Sequence, residues 1–174
     1  MSNDLDLFRL NVGFVVPRNA GYTREFILDF PYAHLPLDLD LYDISGIAEV
    51  TRTARGLLIQ IKVYATITVQ CVRCLEDFPH EIETEFTELY VFDAEQLDDE
   101  SKLLPDDGEI NIGPLIREEV LVAIPINPLC RVDCKGLCPV CGEDQNETVC
   151  NHGDEPIDPR LEVLKSLLIE DTDE

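Results

Sequence analysis

Cysteine is the residue type whose spacing in this chain most directly indicates chemistry. Five of the seven cysteines lie in one segment, CRVDCKGLCPVCGEDQNETVC, which spans residues 130–150. Clustered thiols of this kind form a disulfide framework, a redox centre or a metal site. An odd number of cysteines argues against full pairing as disulfides. We therefore weigh a metal site first and a dithiol redox centre second.

The compact part of the segment has the spacing C-x3-C-x3-C-x2-C and consists of Cys130, Cys134, Cys138 and Cys141. In the CPVCG portion, two cysteines three residues apart in a tight turn can direct both sulfurs at one ion. Pro139 stiffens that turn, and Gly142 can supply the positive φ needed after the second cysteine. Four thiolates suit a structural Zn²⁺ with no open position. We predict that these four cysteines bind one zinc ion, with iron as the alternative metal.

Two further residues compete for places in this site. Cys150 and His152 form a C-x-H pair, which is also a possible pair of ligands. A site in which Cys150 replaces Cys130 or Cys134 is the main rival arrangement. The part played by His152 stays open at this point.

The remaining cysteines, Cys71 and Cys74, lie in CVRCLEDF. One interpretation is a second metal-binding turn that completes a site with Cys138 and Cys141. The other is a pair of small, partly buried thiols at the end of a hairpin, with Arg73 between them in a local ion pair.

Strong alternation of apolar and polar residues predicts the strands that position CVRC. In LLIQIKVYATITVQC, every second residue from Leu57 to Val69 is apolar, and FPHEIETEFTELYVF alternates in the same way. We therefore predict an antiparallel hairpin from Ala54 to Phe92, with CVRC at its turn. LFRLNVGFVV, YTREFILDF and ISGIAEVTRT predict further strands.

The rest of the chain predicts loops and helices. FPYAHLPLDLDLYD reads as a loop because of its prolines, and residues 93–109 as an exposed acidic loop. EINIGPLIREEVLVAIP predicts a helix that begins near Pro114 and ends at Pro125, and IDPRLEVLKSLL predicts a second short helix. The expected fold is α+β: an antiparallel sheet with a few short helices. We expect a sheet core with one helix in residues 1–129, a small cysteine-rich zinc-binding lobe in residues 130–152, and a C-terminal helix with an acidic tail in residues 153–174.

The charge of the chain limits its partners. Its 36 acidic and 13 basic side chains give a formal net charge of -23. Such a surface repels nucleic-acid phosphates and anionic membranes, and it favours basic proteins as partners. The simpler interpretation is that the acidic residues only keep the protein in solution. No segment has membrane-spanning length and no secretory signal pattern is seen, so we expect a cytoplasmic protein.

Six motifs together carry a resemblance to a known family: REFILDF, VTRTARGL, CVRCLEDF, FTELY, CKGLCPVCG and DPRLEVLKSL, in this order. The chain resembles the YceD family of large ribosomal RNA subunit accumulation proteins over most of its length. The resemblance implies a bacterial or plastid factor that is needed for normal accumulation of the large-subunit (23S) ribosomal RNA.

These observations favour a non-catalytic factor for ribosome biogenesis that acts through a basic protein, such as a ribosomal protein or an rRNA-processing factor. No phosphate-binding glycine loop, H-E-x-x-H motif or nucleophile elbow is present in the sequence. Candidate contact regions are the acidic residues 93–109, the tail at 170–174 and the CVRC turn. The alternatives are a thiol- or metal-dependent redox enzyme and a protein that binds RNA directly through its scattered basic residues.

Overall fold

The computed structural model describes residues 4–36 and 39–151. Within them, the secondary structure is a short 3-10 helix at Asp4–Phe8, strands β1 (Arg9–Asn11), β2 (Thr23–Leu35), β3 (Leu39–Arg52), β4 (Gly56–Gln70) and β5 (Asp77–Val91), a 3-10 turn at Ala94–Gln96, strands β6 (Ser101–Leu103) and β7 (Glu109–Asn111), and helix α1 (Gly113–Ala123). The main sheet has the order β2-β3-β4-β5-β6, and β1 pairs with β7. The predicted α+β class is confirmed.

Strand β4 lies at the centre of the sheet and shows the predicted alternation. Its buried residues are Leu57, Ile59, Ile61, Val63, Ala65, Ile67 and Val69. Strand β5 pairs with it in antiparallel register from Gly56 opposite Val91 to Gln70 opposite Asp77. The predicted hairpin is thus confirmed, and its turn is residues 71–76.

Helix α1 contributes to the core on the buried face of the sheet, where it contacts β5. Pro114 lies in its first turn, where the missing N–H costs no hydrogen bond, and the helix ends before Pro125. Leu115, Ile116 and Val120 are buried. The helix prediction is therefore confirmed.

The predicted loop around residues 30–43 is wrong. Strand β2 continues through Pro31 to Leu35, and β3 begins at Leu39. Proline is tolerated because β2 is an edge strand, whose outward N–H groups need no partner. Asp43 has a φ of 50°, and the register of β3 against β4 shifts between Tyr42 and Ser45. From the sequence, Pro31 predicts the end of a strand, whereas a bulge in the neighbouring strand accommodates it.

Two other segments also differ from the prediction. In LFRLNVGFVV only Arg9–Asn11 pairs as a strand, because Asp4–Phe8 forms a 3-10 helix and turns follow Asn11. The acidic residues 93–109 are not a continuous loop. Ser101–Leu103 pairs in parallel with Leu89–Val91 and thereby covers the edge of β5.

The chain divides into two compact units, residues 1–134 and residues 135–174. The first contains the sheet and α1, and the second contains the end of the cysteine-rich segment. The predicted C-terminal helix and acidic tail lie outside the described residues, so the predicted domain limits stay predictions. In the described part of the chain, no helix combines the length and the apolar character needed to cross a membrane.

Candidate metal centres

Four sulfur atoms meet in the first unit, beside the turn between β4 and β5. The ligand atoms of Cys71, Cys74, Cys130 and Cys134 all lie within 4.8 Å of one another. The Sγ atoms of Cys71 and Cys134 are 3.8 Å apart, and those of Cys74 and Cys130 are 3.6 Å apart. A tetrahedral ion with Zn–S bonds of about 2.3 Å requires sulfurs about 3.8 Å apart, whereas a disulfide requires about 2.05 Å. The separations therefore match those of ligands around one metal ion.

Backbone hydrogen bonds hold the first pair of these cysteines in a tight turn. The N–H of Cys71 donates to the carbonyl of Glu76 at 2.9 Å, and the N–H of Leu75 donates to the carbonyl of Cys71 at 3.0 Å. Leu75, directly after Cys74, has a φ of 62°. The left-handed conformation is uncommon for a leucine, and a turn of this shape explains why it occurs here.

The second pair reaches the cluster because the chain after α1 is bound to this turn. The N–H of Val72 donates to the carbonyl of Pro128 at 3.0 Å. The guanidinium of Arg73 donates to the carbonyl of Cys134 at 2.8 Å. Arg73 thus joins the two halves of the cluster, in place of the local ion pair considered from the sequence.

Burial and hydrogen bonding make the four thiols unequal. Backbone N–H groups at Cys130 and Cys74 lower the pKa of Cys71 to about 6. Burial, together with hydrogen bonds to neighbouring thiols, raises the pKa of Cys130 to about 12. Cys71, Cys74 and Cys134 are buried, and Phe78 and Leu129 pack against them. Removal of every thiol proton from such a site requires a cation at its centre.

A second cluster of sulfurs lies in the unit that begins at residue 135. The ligand atoms of Cys138, Cys141 and Cys150 lie within 4.8 Å of one another, and the Sγ atoms of Cys141 and Cys150 are 3.4 Å apart. Cys138 is buried, Cys150 is partly buried and Cys141 is exposed. This cluster has three sulfurs among the described residues, and His152 lies outside them.

The structure divides the four predicted ligands between these clusters. It places Cys130 and Cys134 with Cys71 and Cys74, and it places Cys138 and Cys141 with Cys150. The prediction of one shared site rested on closeness in the sequence, whereas the β4–β5 turn brings an earlier pair to the first cluster. The signal for that pair was present, because CVRC has the same C-x2-C spacing as CPVC and lies at a hairpin end.

Comparison with known proteins defines the class of this α+β chain with its two cysteine clusters. Residues 59–168 match the model of the family described as large ribosomal RNA subunit accumulation protein YceD. The chain belongs to this family, as its motifs indicated. No solved structure matches the chain significantly.

The curated relatives are themselves uncharacterized. The chain is 32% identical over 142 residues to an uncharacterized protein of Mycobacterium tuberculosis, a match that covers 79% of this chain and 64% of the relative. It is 32% identical over 103 residues to the uncharacterized protein YlbN of Bacillus subtilis, covering 58% and 60%. The matches therefore span less than two thirds of these relatives' own length.

Proposed function

We propose that the protein is a non-catalytic factor that supports accumulation of 23S ribosomal RNA by binding a basic protein, either a ribosomal protein or an rRNA-processing factor. The observation that carries this proposal is the match to the YceD family over residues 59–168. The net charge of -23 favours an indirect route to RNA, because an acidic surface is repelled by phosphates and attracted to basic proteins.

The outer face of the sheet is the surface that best suits such a partner. We use this term for the side chains of β2 to β5 that point away from the core. Lys62 on this face is bound by Glu83 at 2.8 Å and approaches Glu85 at 3.9 Å, so its charge is already compensated. The exposed carboxylates of the outer face include those of Glu25, Asp29, Asp77, Glu81, Glu83 and Glu85.

Apolar and aromatic side chains lie among these carboxylates. Ile27, with 80% of its surface exposed, is directly opposite Ile47, which is 47% exposed. The rings of Tyr32 and Tyr42 lie 5.4 Å apart. Lys62 shows how a cation contacts Tyr64, with its ammonium 5.3 Å from the ring centre. A segment rich in Lys and Arg can pair its charges with the carboxylates and lay its aliphatic stems on the isoleucines.

Two residues of the contact regions expected from the sequence already have partners in the structure. Asp98 in the acidic segment is paired with Arg55 at 3.0 Å. Arg73 is engaged with the carbonyl of Cys134. The acidic tail lies outside the described residues.

Support for a non-catalytic role comes from the composition of the first cluster. We propose that Cys71, Cys74, Cys130 and Cys134 bind a structural Zn²⁺, since four thiolates leave the ion no position for a substrate or a reactive water. The proposed location is the cytoplasm, where free thiols are kept reduced and available to metal.

The test combines deletion of the gene with direct binding. Deletion should lower 23S RNA relative to small-subunit RNA. A tagged chain should retain a basic ribosomal or rRNA-processing protein after nuclease treatment, and the purified pair should bind each other with an affinity that falls as salt screens the charges over about 8–10 Å. Asp29→Lys with Glu81→Lys should abolish binding and complementation. Asp99→Lys with Glu100→Lys makes the same charge change in the acidic segment and should leave both intact.

Two results would overturn the proposal. One is tight binding of ribosomal RNA by the purified chain at physiological salt, which would make it a direct RNA-binding protein. The other is modification or cleavage of RNA by the purified chain, which would make it an enzyme. If Asp99→Lys with Glu100→Lys abolishes binding and Asp29→Lys with Glu81→Lys does not, the partner site lies in residues 93–109 and not on the outer face.

A further inference from the structure

We propose that Cys138, Cys141 and Cys150 bind a second thiophilic metal ion, Zn²⁺ in the cell, separately from the cluster of Cys71, Cys74, Cys130 and Cys134. This inference goes beyond the proposed function, which requires one structural ion and a basic partner.

The geometry of the CPVCG turn carries the inference, because it repeats that of the CVRCL turn. The N–H of Cys138 donates to the carbonyl of Glu143 at 2.8 Å, and the N–H of Gly142 donates to the carbonyl of Cys138 at 2.9 Å. The equivalent bonds in the first turn, from Cys71 and Leu75, are 2.9 and 3.0 Å long. The residue after the second cysteine is left-handed in both turns, with a φ of 76° at Gly142 and 62° at Leu75.

The two turns also present their first sulfur to backbone N–H groups in the same way. Backbone N–H groups of Cys141 and Val140 hydrogen-bond to Cys138, as those of Cys74 and Arg73 do to Cys71. These donors disperse the charge of a thiolate and direct its remaining lone pairs to one side of the turn. Two segments that are unrelated in their flanking sequence thus form the same two-sulfur half of a metal site.

The third ligand is positioned by a separate set of bonds. The N–H of Gln145 donates to the carbonyl of Gly136 at 2.9 Å, and the N–H of Thr148 donates to the carbonyl of Asp144 at 3.0 Å. The chain therefore turns back on itself and brings Cys150 to the CPVCG turn. Its sulfur lies 3.4 Å from that of Cys141, which is too far for a disulfide and close to the separation of ligands on one ion.

A cation is needed at this cluster once its three thiols are deprotonated to act as ligands. Three thiolates within 4.8 Å of one another repel strongly unless a metal ion neutralises them. The soft sulfur donors select Zn²⁺ over Mg²⁺ or Ca²⁺. Cys141 is exposed, whereas Cys71, Cys74 and Cys134 are buried. The second ion is therefore the more accessible to a competing chelator.

The experiment measures metal stoichiometry on the full chain. Protein purified under reducing conditions with zinc should show two zinc masses by native mass spectrometry. Cys150→Ser should lower the number from two to one, Cys74→Ser should also leave one, and the combined variant should leave none. Val149→Ser, a change at the exposed residue beside Cys150, should keep two.

Alkylation of the wild-type chain tests the same inference without relying on variants that could fail to fold. Zinc should protect Cys138, Cys141 and Cys150 from alkylation, and a chelator should expose them before it exposes Cys71 and Cys74. Replacement by Co²⁺ should give thiolate charge-transfer absorption from both sites. A single zinc per wild-type chain, two ions in Cys150→Ser, or a Cys141–Cys150 disulfide under reducing conditions would each overturn the inference.

Discussion

The sulfur of Cys71 lies 3.8 Å from the sulfur of Cys134, although 63 residues separate them along the chain. The turn at the end of the central hairpin and the segment that follows α1 therefore share one site. A metal that binds both segments closes this loop in every folded molecule. By analogy with a covalent cross-link, closure of a 63-residue loop removes chain entropy equivalent to about 4 kcal/mol from the unfolded state.

Loss of one ligand from the four-cysteine cluster should be strongly destabilising. Cys74→Ser is expected to release one zinc ion and to lower the free energy of unfolding by about 4 kcal/mol, which is the range found when a metal site is lost. Zinc content and denaturant unfolding measure the two effects. Val72→Ser alters an exposed residue of the same turn and should change neither. Full zinc content in Cys74→Ser would remove this residue from the site.

Loss of the hydrogen bond from Arg73 should destabilise the fold less than loss of a cysteine ligand. Arg73→Ala should lower the free energy of unfolding by about 1 kcal/mol, because a carbonyl of the second pair of ligands loses its donor. Zinc should remain bound, since no ligand is changed. Thermal unfolding with parallel metal analysis separates the two outcomes. Arg131→Ala removes the same charge from an exposed position between Cys130 and Cys134, and an equal loss of stability there would show that charge alone is responsible.

The left-handed residues after each C-x2-C pair predict opposite effects for two substitutions. Leu75→Gly should raise the free energy of unfolding by about 1 kcal/mol, because glycine adopts a φ of 62° without strain. Gly142→Ala should destabilise its turn by a similar amount, although no atom crowds the added Cβ.

The control for the second substitution is Gly142→Asn. Asparagine tolerates the left-handed conformation better than alanine does, so this variant should lose less stability. The resistance of the second zinc ion to chelation should fall in the same order, from glycine to asparagine to alanine at position 142. Equal behaviour of Asn and Ala would show that backbone conformation is not the cause.

On the outer face, the hydroxyl of Tyr32 donates to Asp40 at 2.7 Å. This bond, with burial and the charge of Asp40, raises the pKa of Tyr32 to about 12. A raised tyrosine pKa stabilises the fold below the unfolded value of about 10, and the contribution is lost as the pH rises through about 12. Asp40→Asn should move the Tyr32 pKa down toward its ordinary value, as measured by NMR titration of the ring. An unchanged Tyr32 pKa would contradict the assigned cause.

Two isoleucines on opposite faces of the sheet test the assignment of the core. Ile61→Ala should lower the free energy of unfolding by about 2–5 kcal/mol, because the residue is buried in the central strand. Ile27→Ala on the exposed edge strand should lower the free energy of unfolding by less than about 1 kcal/mol. Denaturant unfolding with a constant m-value checks both. A similar loss at Ile27 would mean that the outer face is covered.

The sequence predicted those parts of the fold that depend on the pattern of neighbouring residues alone. The alternation from Leu57 to Val69 identified the central strand because every second residue must be buried. The loop predicted at Pro31 was wrong because the effect of a proline depends on whether its strand lies at an edge. That position is a property of the whole sheet. The C-x2-C spacing marked CPVC as a pair of candidate ligands and left CVRC open between a metal-binding turn and two small thiols. The grouping of the sulfurs depends on which distant segment is bound to each turn. The bonds from Val72 and Arg73 determine that grouping, and no local pattern encodes them.

The order in which the chain leaves the ribosome gives the pairing of β2, β3, β4 and β5 a further consequence. Strands β3, β4 and β5 each pair with the strand made just before them, so this part of the sheet can grow by successive hairpins during translation. Cys71 and Cys74 are complete as a half-site long before Cys130 and Cys134 are made. At about 5–20 residues per second, the 63 residues added after Cys71 up to and including Cys134 take about 3–13 s to synthesise. A nascent chain that stalls before residue 130 therefore has these strands but only half of the four-cysteine cluster, and a metal ion bound by all four cysteines would require synthesis to have passed residue 134.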